Sequence, residues 1–443
     1  MPDAPPISNQ VDQLLLDTIS NHIAGDLTQA EATYRQILTV EPEQPVALHF
    51  LGVLLHQQGR SDEGIALVEQ SITLCPDRAH WLNDLGNIQV ALGDFEAAVD
   101  VFIRSLELKV DDPLTWNNLG ATLKSLGKAE DAAVAFQNAI ALDDQFADAL
   151  DQYGQLLSEQ GKDLEAADYF CRAYIARPAE GQPPQMRGIA FYRLGRYAEA
   201  AAVYQDWMQA EPGNPLAAHH FAACSGLDTA ERRASDAYIE QTFDFAAAQF
   251  DQRLAGLGYR GPEYVGNALK QLGLPPQAAL DVLDAGCGTG LCGVVLAPYA
   301  RALTGVDLSG GMLERAQTTG RYHTLVKAGL GGFLVLHPQE YDLIVAADTL
   351  IYFGDLAEVL GGMAGALRAG GHVVLTFETL IPTASGQEYK LQPSGRYAHR
   401  PDYIEHCLRQ AGFVETTART EVIRIELGVP IAGVVVTAGM GRR

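Results

Sequence analysis

Glycine recurs with a 34-residue period through the first half of this 443-residue chain, and that period constrains the fold more than any other feature. Gly52, Gly86, Gly120, Gly154 and Gly188 form one series; Gly25, Gly59, Gly93, Gly127, Gly161 and Gly195 form a second. A small residue holds a third position (Ala30, Gly64, Ala98, Ala132, Ala166, Ala200), and a large one follows four residues later (Tyr34, Val68, Phe102, Phe136, Phe170, Tyr204). Registers that agree over this length imply one supersecondary unit copied and stacked, each copy burying its apolar face against the next. The spacing suits a two-helix hairpin: the first glycine and the small residue let two helices approach, and the large residue fills the remaining gap. The second glycine falls where the first helix must end, a place for the left-handed conformation. Pro42, Pro76, Pro178 and Pro212 recur at the end of the second helix, with Val110 and Asp144 replacing proline in two copies.

These features resemble the tetratricopeptide repeat family, in about six copies over residues 11–214 with a capping helix after them, so that residues 11–226 form a repeat domain. The resemblance implies a right-handed α-solenoid whose concave groove holds a peptide or protein, the alternative being a scaffold that only positions the second half of the chain. Residues 1–226 carry 13 Lys and Arg against 32 Asp and Glu, leaving 18 against 23 for the rest. The acidity is that of solvated outer helix faces or of a docking surface for a basic partner.

The overall formal charge of −24 opposes nucleic-acid backbones and anionic lipid surfaces, and neither is expected as a partner. No segment approaches the roughly 20 apolar residues of a membrane helix, and Met1–Gln10 lacks the layout of a secretory signal. A cytoplasmic location is the expectation. The six cysteines are scattered without metal-site or disulfide spacing, so no metal is expected.

Residues 227–274 read as a structured lid or adaptor belonging to the carboxyl-terminal domain. Residues 228–253 are helical in pattern, with Asp228, Glu231, Arg232 and Arg233 in an early polar turn and Tyr238, Phe243 and Phe250 after them; Gly256, Gly258, Gly261 and Pro262 break the pattern.

From residue 275 to 443, short apolar runs alternate with helix-length segments. Strands are expected at Leu280–Leu283, Ala302–Val306, Tyr341–Ala346 and His372–Phe377, giving a parallel sheet covered on both faces. Val422–Glu426 and Ile431–Thr437 read as an antiparallel hairpin.

The first strand runs into Asp284-Ala285-Gly286-Cys287-Gly288-Thr289-Gly290, and Asp307 closes the second. Glycines there let a ligand lie against the backbone, and a carboxylate after the second strand can hold two ribose hydroxyls. A nicotinamide dinucleotide site uses the same logic, and Gly288, Gly290 and Gly293 even form an out-of-frame G-x-G-x-x-G. Asp284 separates the two readings, because a carboxylate at the mouth of the loop repels a pyrophosphate and attracts the ammonium and sulfonium of S-adenosylmethionine.

These residues and the terminal hairpin resemble class I S-adenosylmethionine-dependent methyltransferases over roughly residues 240–440. The order of domains, with Leu257–Glu263 and Ser394–His399, looks like a bacterial group of repeat-containing methyltransferases. The implied fold is α plus α/β: a repeat solenoid followed by a Rossmann-like, seven-stranded methyltransferase domain. The implied cofactor is S-adenosylmethionine, with Asp284, Gly286, Gly288 and Gly290 at its methionine part, Asp307 at the ribose, and Leu308 and Met312 at the adenine. Tyr259 and Arg260 close the site from the amino-terminal side or serve as ordinary helix-capping contacts. Where such enzymes carry an acidic residue after the third strand, this chain has Gly329.

Methyl transfer from a sulfonium needs alignment more than it needs a catalytic group. An oxygen or amine acceptor must still lose a proton, which Asp348, Tyr352 or His399 could take, His399 being equally readable as a surface or capping residue. Tyr389, Arg396 and Tyr397, in a loop from Tyr389 to Arg400, are expected to bind an anionic acceptor, unless these cations only balance nearby acids. Three functions fit: an enzyme acting on a small acid, an enzyme acting on a protein held by the repeats, and a non-catalytic adaptor that keeps the fold.

Overall fold

The computed structural model describes residues 7–227, 232–381 and 386–441. Asp228, Glu231 and the first six residues lie outside the described residues. The chain forms two compact units that divide between Pro178 and Ala179.

In the first unit, helices pair from Ile7–Ile23 with Leu27–Val40 through Ala147–Glu159 with Asp163–Ala176. The repeat positions act as their chemistry suggests. A Cβ on Gly52 would lie 2.6 Å from a methyl of Val68, one on Gly86 would lie 2.5 Å from the Phe102 ring, and one on Gly120 would lie 2.8 Å from Phe136. The large residue of the second helix therefore seats directly on the glycine of the first, and Tyr34, Val68, Phe102 and Phe136 are fully buried. The second series, Gly25 to Gly161, has φ between 72° and 91°, the left-handed turn that ends each first helix.

The second unit opens with one more hairpin of the same design, Pro184–Arg193 and Tyr197–Ala210, where a Cβ on Gly188 would lie 2.3 Å from the Tyr204 ring. A further helix, Pro215–Ser225, comes next. These helices share the compact unit of the sheet: the His219 ring stacks on Tyr238 at 3.7 Å, and its Nε2 donates to the carbonyl of Gly395 at 2.8 Å.

The sheet comprises β1 (Leu280–Ala285), β2 (Ala300–Asp307), β3 (Thr324–Lys327), β4 (Tyr341–Ala346), β5 (Leu367–Thr379), β6 (Tyr389–Leu391), β7 (Tyr397–His399), β8 (Phe413–Glu426) and β9 (Val429–Met440). Five parallel strands run in the order β3-β2-β1-β4-β5, and β9 then β8 add antiparallel beyond β5. This is the seven-stranded Rossmann-like sheet that the methyltransferase resemblance implies. β6 and β7 form a short extra hairpin whose β7 pairs with the last two residues of β5. The segment Tyr389–Arg400, expected as a loop, is thus mostly this hairpin. The terminal strands are also longer than their apolar cores suggest, because ladder bonds continue through polar residues such as Thr416 and Thr417.

Strand order reverses between β1 and β4, so their carboxyl ends open a crevice, the position at which open parallel sheets bind ligands. Among the described residues no helix is long and apolar enough to cross a membrane.

Candidate functional site

The loop after β1 turns on three glycines with positive φ: Gly286 at 77°, Gly288 at 53° and Gly290 at 90°. Gly286 also has no room for a side chain, since its Cβ would lie 2.3 Å from Oγ1 of Thr349. That hydroxyl donates to the carbonyl of Ala285 at 2.8 Å, tying the loop after β4 to the loop after β1. Asp307 braces the same turn. Its Oδ2 accepts from the Gly288 amide and its Oδ1 from the Ser309 amide, each at 2.9 Å.

Asp284 is buried beneath this loop, 1% exposed. Its Oδ2 accepts a 2.6 Å hydrogen bond from the Tyr322 hydroxyl. Burial pushes its carboxyl up to about 7, against the Tyr322 bond, and Asp307 adds to the rise.

A cavity of about 360 Å3 opens over the loop, within the range that holds a small-molecule ligand. Its outer wall is the segment read as a lid, here the helices Asp236–Ala246 and Phe250–Gly256 with a short turn between them. Polar ties hold this wall to the sheet's loops. Ser309 Oγ donates to Asp244 at 2.5 Å, Thr289 Oγ1 donates to Asp251 at 2.5 Å, and Lys327 pairs with Glu240 at 2.6 Å. Phe243 meets Tyr352 edge-on across the cavity, with ring centroids 5.5 Å apart.

The far end of the cavity is charged. Asp348, at the end of β4, has φ 55°, unusual for a residue with a side chain and held by a 2.8 Å bond from its amide to Thr376 Oγ1. Arg424 from β8 is 2% exposed and donates to Asp348 at 3.1 Å, to Glu426 at 2.9 Å and to Glu378. Arg396 donates to Glu426 at 2.5 Å. Three carboxylates therefore surround two guanidiniums. Burial raises the carboxyl of Asp348, opposed by Arg424 and Arg396; the same desolvation acts on Glu426, but the two arginines hold it below its ordinary range.

Of the residues singled out on sequence, Asp284, Gly286, Gly288, Asp307, Leu308, Met312, Tyr259, Asp348, Tyr352 and Arg396 all line this one cavity. Five others stand apart from its lining. Gly290 packs against the ring of Tyr322. Arg260 is exposed and forks onto Glu263, at 2.8 and 2.5 Å. Tyr389 and Tyr397 seat on Gly354, whose Cβ would lie 2.6 and 2.8 Å from their rings.

His399 requires the clearest correction, because it is no loop residue. It is fully buried on β7, donates to the carbonyl of Phe353 at 2.7 Å, and is pushed down to about 4 by burial. It is neutral near pH 7 and is not among the residues that line the cavity.

Sequence reasoning missed Arg424, Glu378 and Asp236. Arg424 hides because a bulge between Val422 and Arg424 shifts the strand register, so alternation misreports which way the side chain faces. An arginine and two glutamates within the apolar runs of β5 and β8 were the available signal.

The family model described as "Methyltransferase domain" matches residues 283–373, and models described as "Tetratricopeptide repeat" match 43–109, 83–143 and 186–215. Human methyltransferase-like protein 27 is 46% identical over 91 residues, 20% of this chain and 37% of that protein. Ubiquinone biosynthesis O-methyltransferases of Thiobacillus denitrificans and Saccharophagus degradans are 30% and 27% identical over 159 and 146 residues, covering 31% and 30% of this chain. The chain spans 37%, 66% and 62% of the lengths of these three relatives. Among solved structures, MamA is similar over 36% of this chain and 93% of its own, at 23% identity and a TM-score of 0.34. The chain joins tetratricopeptide repeats to a domain of the methyltransferase family.

Proposed function

We propose that the second unit transfers a methyl group from S-adenosylmethionine to an oxygen of a small acceptor, and that the repeats bind a protein partner. The observation that carries the cofactor reading is the pair of carboxylates at the glycine loop of a 360 Å3 cavity, Asp284 buried beneath it and Asp307 partly buried at the end of β2. A buried carboxylate whose charge is opposed by desolvation is a ready partner for an ammonium and a poor one for a pyrophosphate. Asp307, whose two oxygens also accept the Gly288 and Ser309 amides, would take the ribose hydroxyls, while Leu308 and Met312 would offer an apolar face to a base.

When bound, S-adenosylmethionine would supply an electrophilic methyl group, and Asp284 and Asp307 would hold its amino-acid and ribose parts. Asp348 receives the proton that the acceptor oxygen gives up. Its raised affinity for protons suits it to the task, and Arg424 and Thr376 fix its carboxylate. Phe243, Phe250 and Tyr352 exclude water from the same end. The oxygen acceptor is supported by the names of the bacterial relatives, which are O-methyltransferases.

Calorimetry with S-adenosylhomocysteine and with NAD tests the cofactor: binding of the first alone is expected, and binding of NAD instead overturns the reading. Incubation with labelled S-adenosylmethionine and cell extract, followed by separation by size, then distinguishes a small labelled product from a protein. An absence of labelled product, with cofactor binding intact, favours the adaptor reading.

A further inference from the structure

The glycines of the loop region serve a residue that no motif includes. Tyr322 precedes β3, and its ring lies in a slot where three glycines meet. A Cβ on Gly293 would lie 2.9 Å from its Cε2 and 3.0 Å from its hydroxyl, one on Gly305 would lie 2.9 Å from its Cδ1, and one on Gly290 would lie 3.0 Å from its Cε2. Gly293 and Gly305 have no left-handed backbone to explain them; at Gly293 the ring alone forbids a side chain, and at Gly305 it does so together with Leu325 and Cys287. At the end of the slot the hydroxyl meets Asp284 at 2.6 Å. Asp284 lines the cavity and Tyr322 does not, so the bond reaches the carboxylate from behind.

We propose that Tyr322 is a positioning residue that holds Asp284 as an oriented carboxylate for the amino group of the cofactor's methionine part. This rests on the reading of the cavity as an S-adenosylmethionine site.

The surroundings of Asp284 give the bond its importance. Asp307 faces it from the end of β2 and opposes its ionisation. Cys287 and Cys292 face it from the loop, and Tyr259 from the lid side; burial pushes all three groups up, so they stay neutral, and none of them can offer a positive charge. The Tyr322 hydroxyl favours the ionised form against burial and Asp307, and the glycines help to fix the ring that carries it.

Tyr322→Phe keeps the ring in its slot and deletes only the donor. S-adenosylhomocysteine and adenosine, which lacks the amino-acid part, are titrated calorimetrically into wild type and variant, full chain, from about pH 6 to about pH 8.5. Wild-type affinity for S-adenosylhomocysteine is expected to rise with pH as Asp284 ionises. In the variant that rise moves to higher pH, giving a loss of roughly 3- to 10-fold near pH 7 that narrows at the alkaline end, the scale of one hydrogen bond. Adenosine affinity is expected to be equal in both proteins. Identical pH profiles for S-adenosylhomocysteine, or an equal loss for adenosine, overturn the positioning role while leaving the cofactor site in place. A wild type that binds neither ligand overturns the cofactor reading, and the role of Tyr322 with it.

Discussion

Oδ2 of Asp236 stands 3.2 Å from the point a Cβ would occupy on Gly329. Gly329 lies where the methyltransferase resemblance leads one to expect an acidic side chain, and the lid helix brings a carboxylate to the same place. Asp236 lines the cavity, and its other oxygen is held at 2.5 Å by Arg233. Restoring an acid by Gly329→Asp is therefore expected to leave S-adenosylhomocysteine affinity unchanged or weaker, because two carboxylates would crowd one another. Asp236→Ala is expected to cost about 1 kcal/mol of binding, the worth of one hydrogen bond. Calorimetry on the two variants checks both, and tighter binding by Gly329→Asp would show that Asp236 does not fill this role.

Replacing Arg424 should damage the fold more than its single position suggests. Arg424→Met leaves Asp348, Glu378 and Glu426 with Arg396 as their remaining guanidinium neighbour in this cluster. Breaking a buried ion pair from one side costs roughly 3–5 kcal/mol. Urea denaturation of wild type and variant measures it, and a loss below about 1 kcal/mol, the range of an exposed pair, would mean that the cluster is open to water.

Asp284 makes the ligand-free protein more stable in mild acid. Its carboxyl is raised to about 7 in the fold, against an ordinary value near 4 in the unfolded chain, so the folded state holds a proton that the unfolded state has lost. Its contribution is full below the unfolded value and is lost as pH rises through about 7, at about 1.4 kcal/mol per pH unit in between. Asp284→Asn removes that slope, so the difference in melting temperature between variant and wild type is expected to change steadily from about pH 5 to about pH 7 and then level off. A pH-independent difference would count against the burial of a protonated Asp284.

Truncation should succeed at one boundary and fail at the other. A chain beginning at Ala179 keeps the helices Pro184–Arg193, Tyr197–Ala210 and Pro215–Ser225, and is expected to unfold cooperatively and bind S-adenosylhomocysteine as the full chain does. A chain beginning at Leu227 loses His219, and with it the stack on Tyr238 and the bond to Gly395, beside the cavity residue Arg396. That chain is expected to aggregate or melt earlier. Circular dichroism melts and ligand titration compare the two, and equal stability would show that these helices are dispensable to the sheet.

Features that depend on residues near one another in the chain were legible in the sequence. The 34-residue period predicted the paired helices, since Gly86 and Phe102 sit in consecutive helices of one hairpin. The step from β1 into its glycine loop and from β2 into Asp307 defined one wall of the cavity. Contacts that join distant segments came from the tertiary fold alone. Nothing local brings Asp236 to Gly329, Tyr322 to Asp284, or Arg424 to Asp348; in each case strand pairing in the sheet and the packing of the lid bring distant segments together. His399 shows the opposite error. A histidine among Arg396, Arg400 and two tyrosines reads as surface chemistry, but β7 pairs with the end of β5 and carries the ring under Tyr403 and Phe377, where desolvation keeps it neutral. Sequence pattern reports how often a residue type recurs, whereas burial and partner choice depend on which elements close over it.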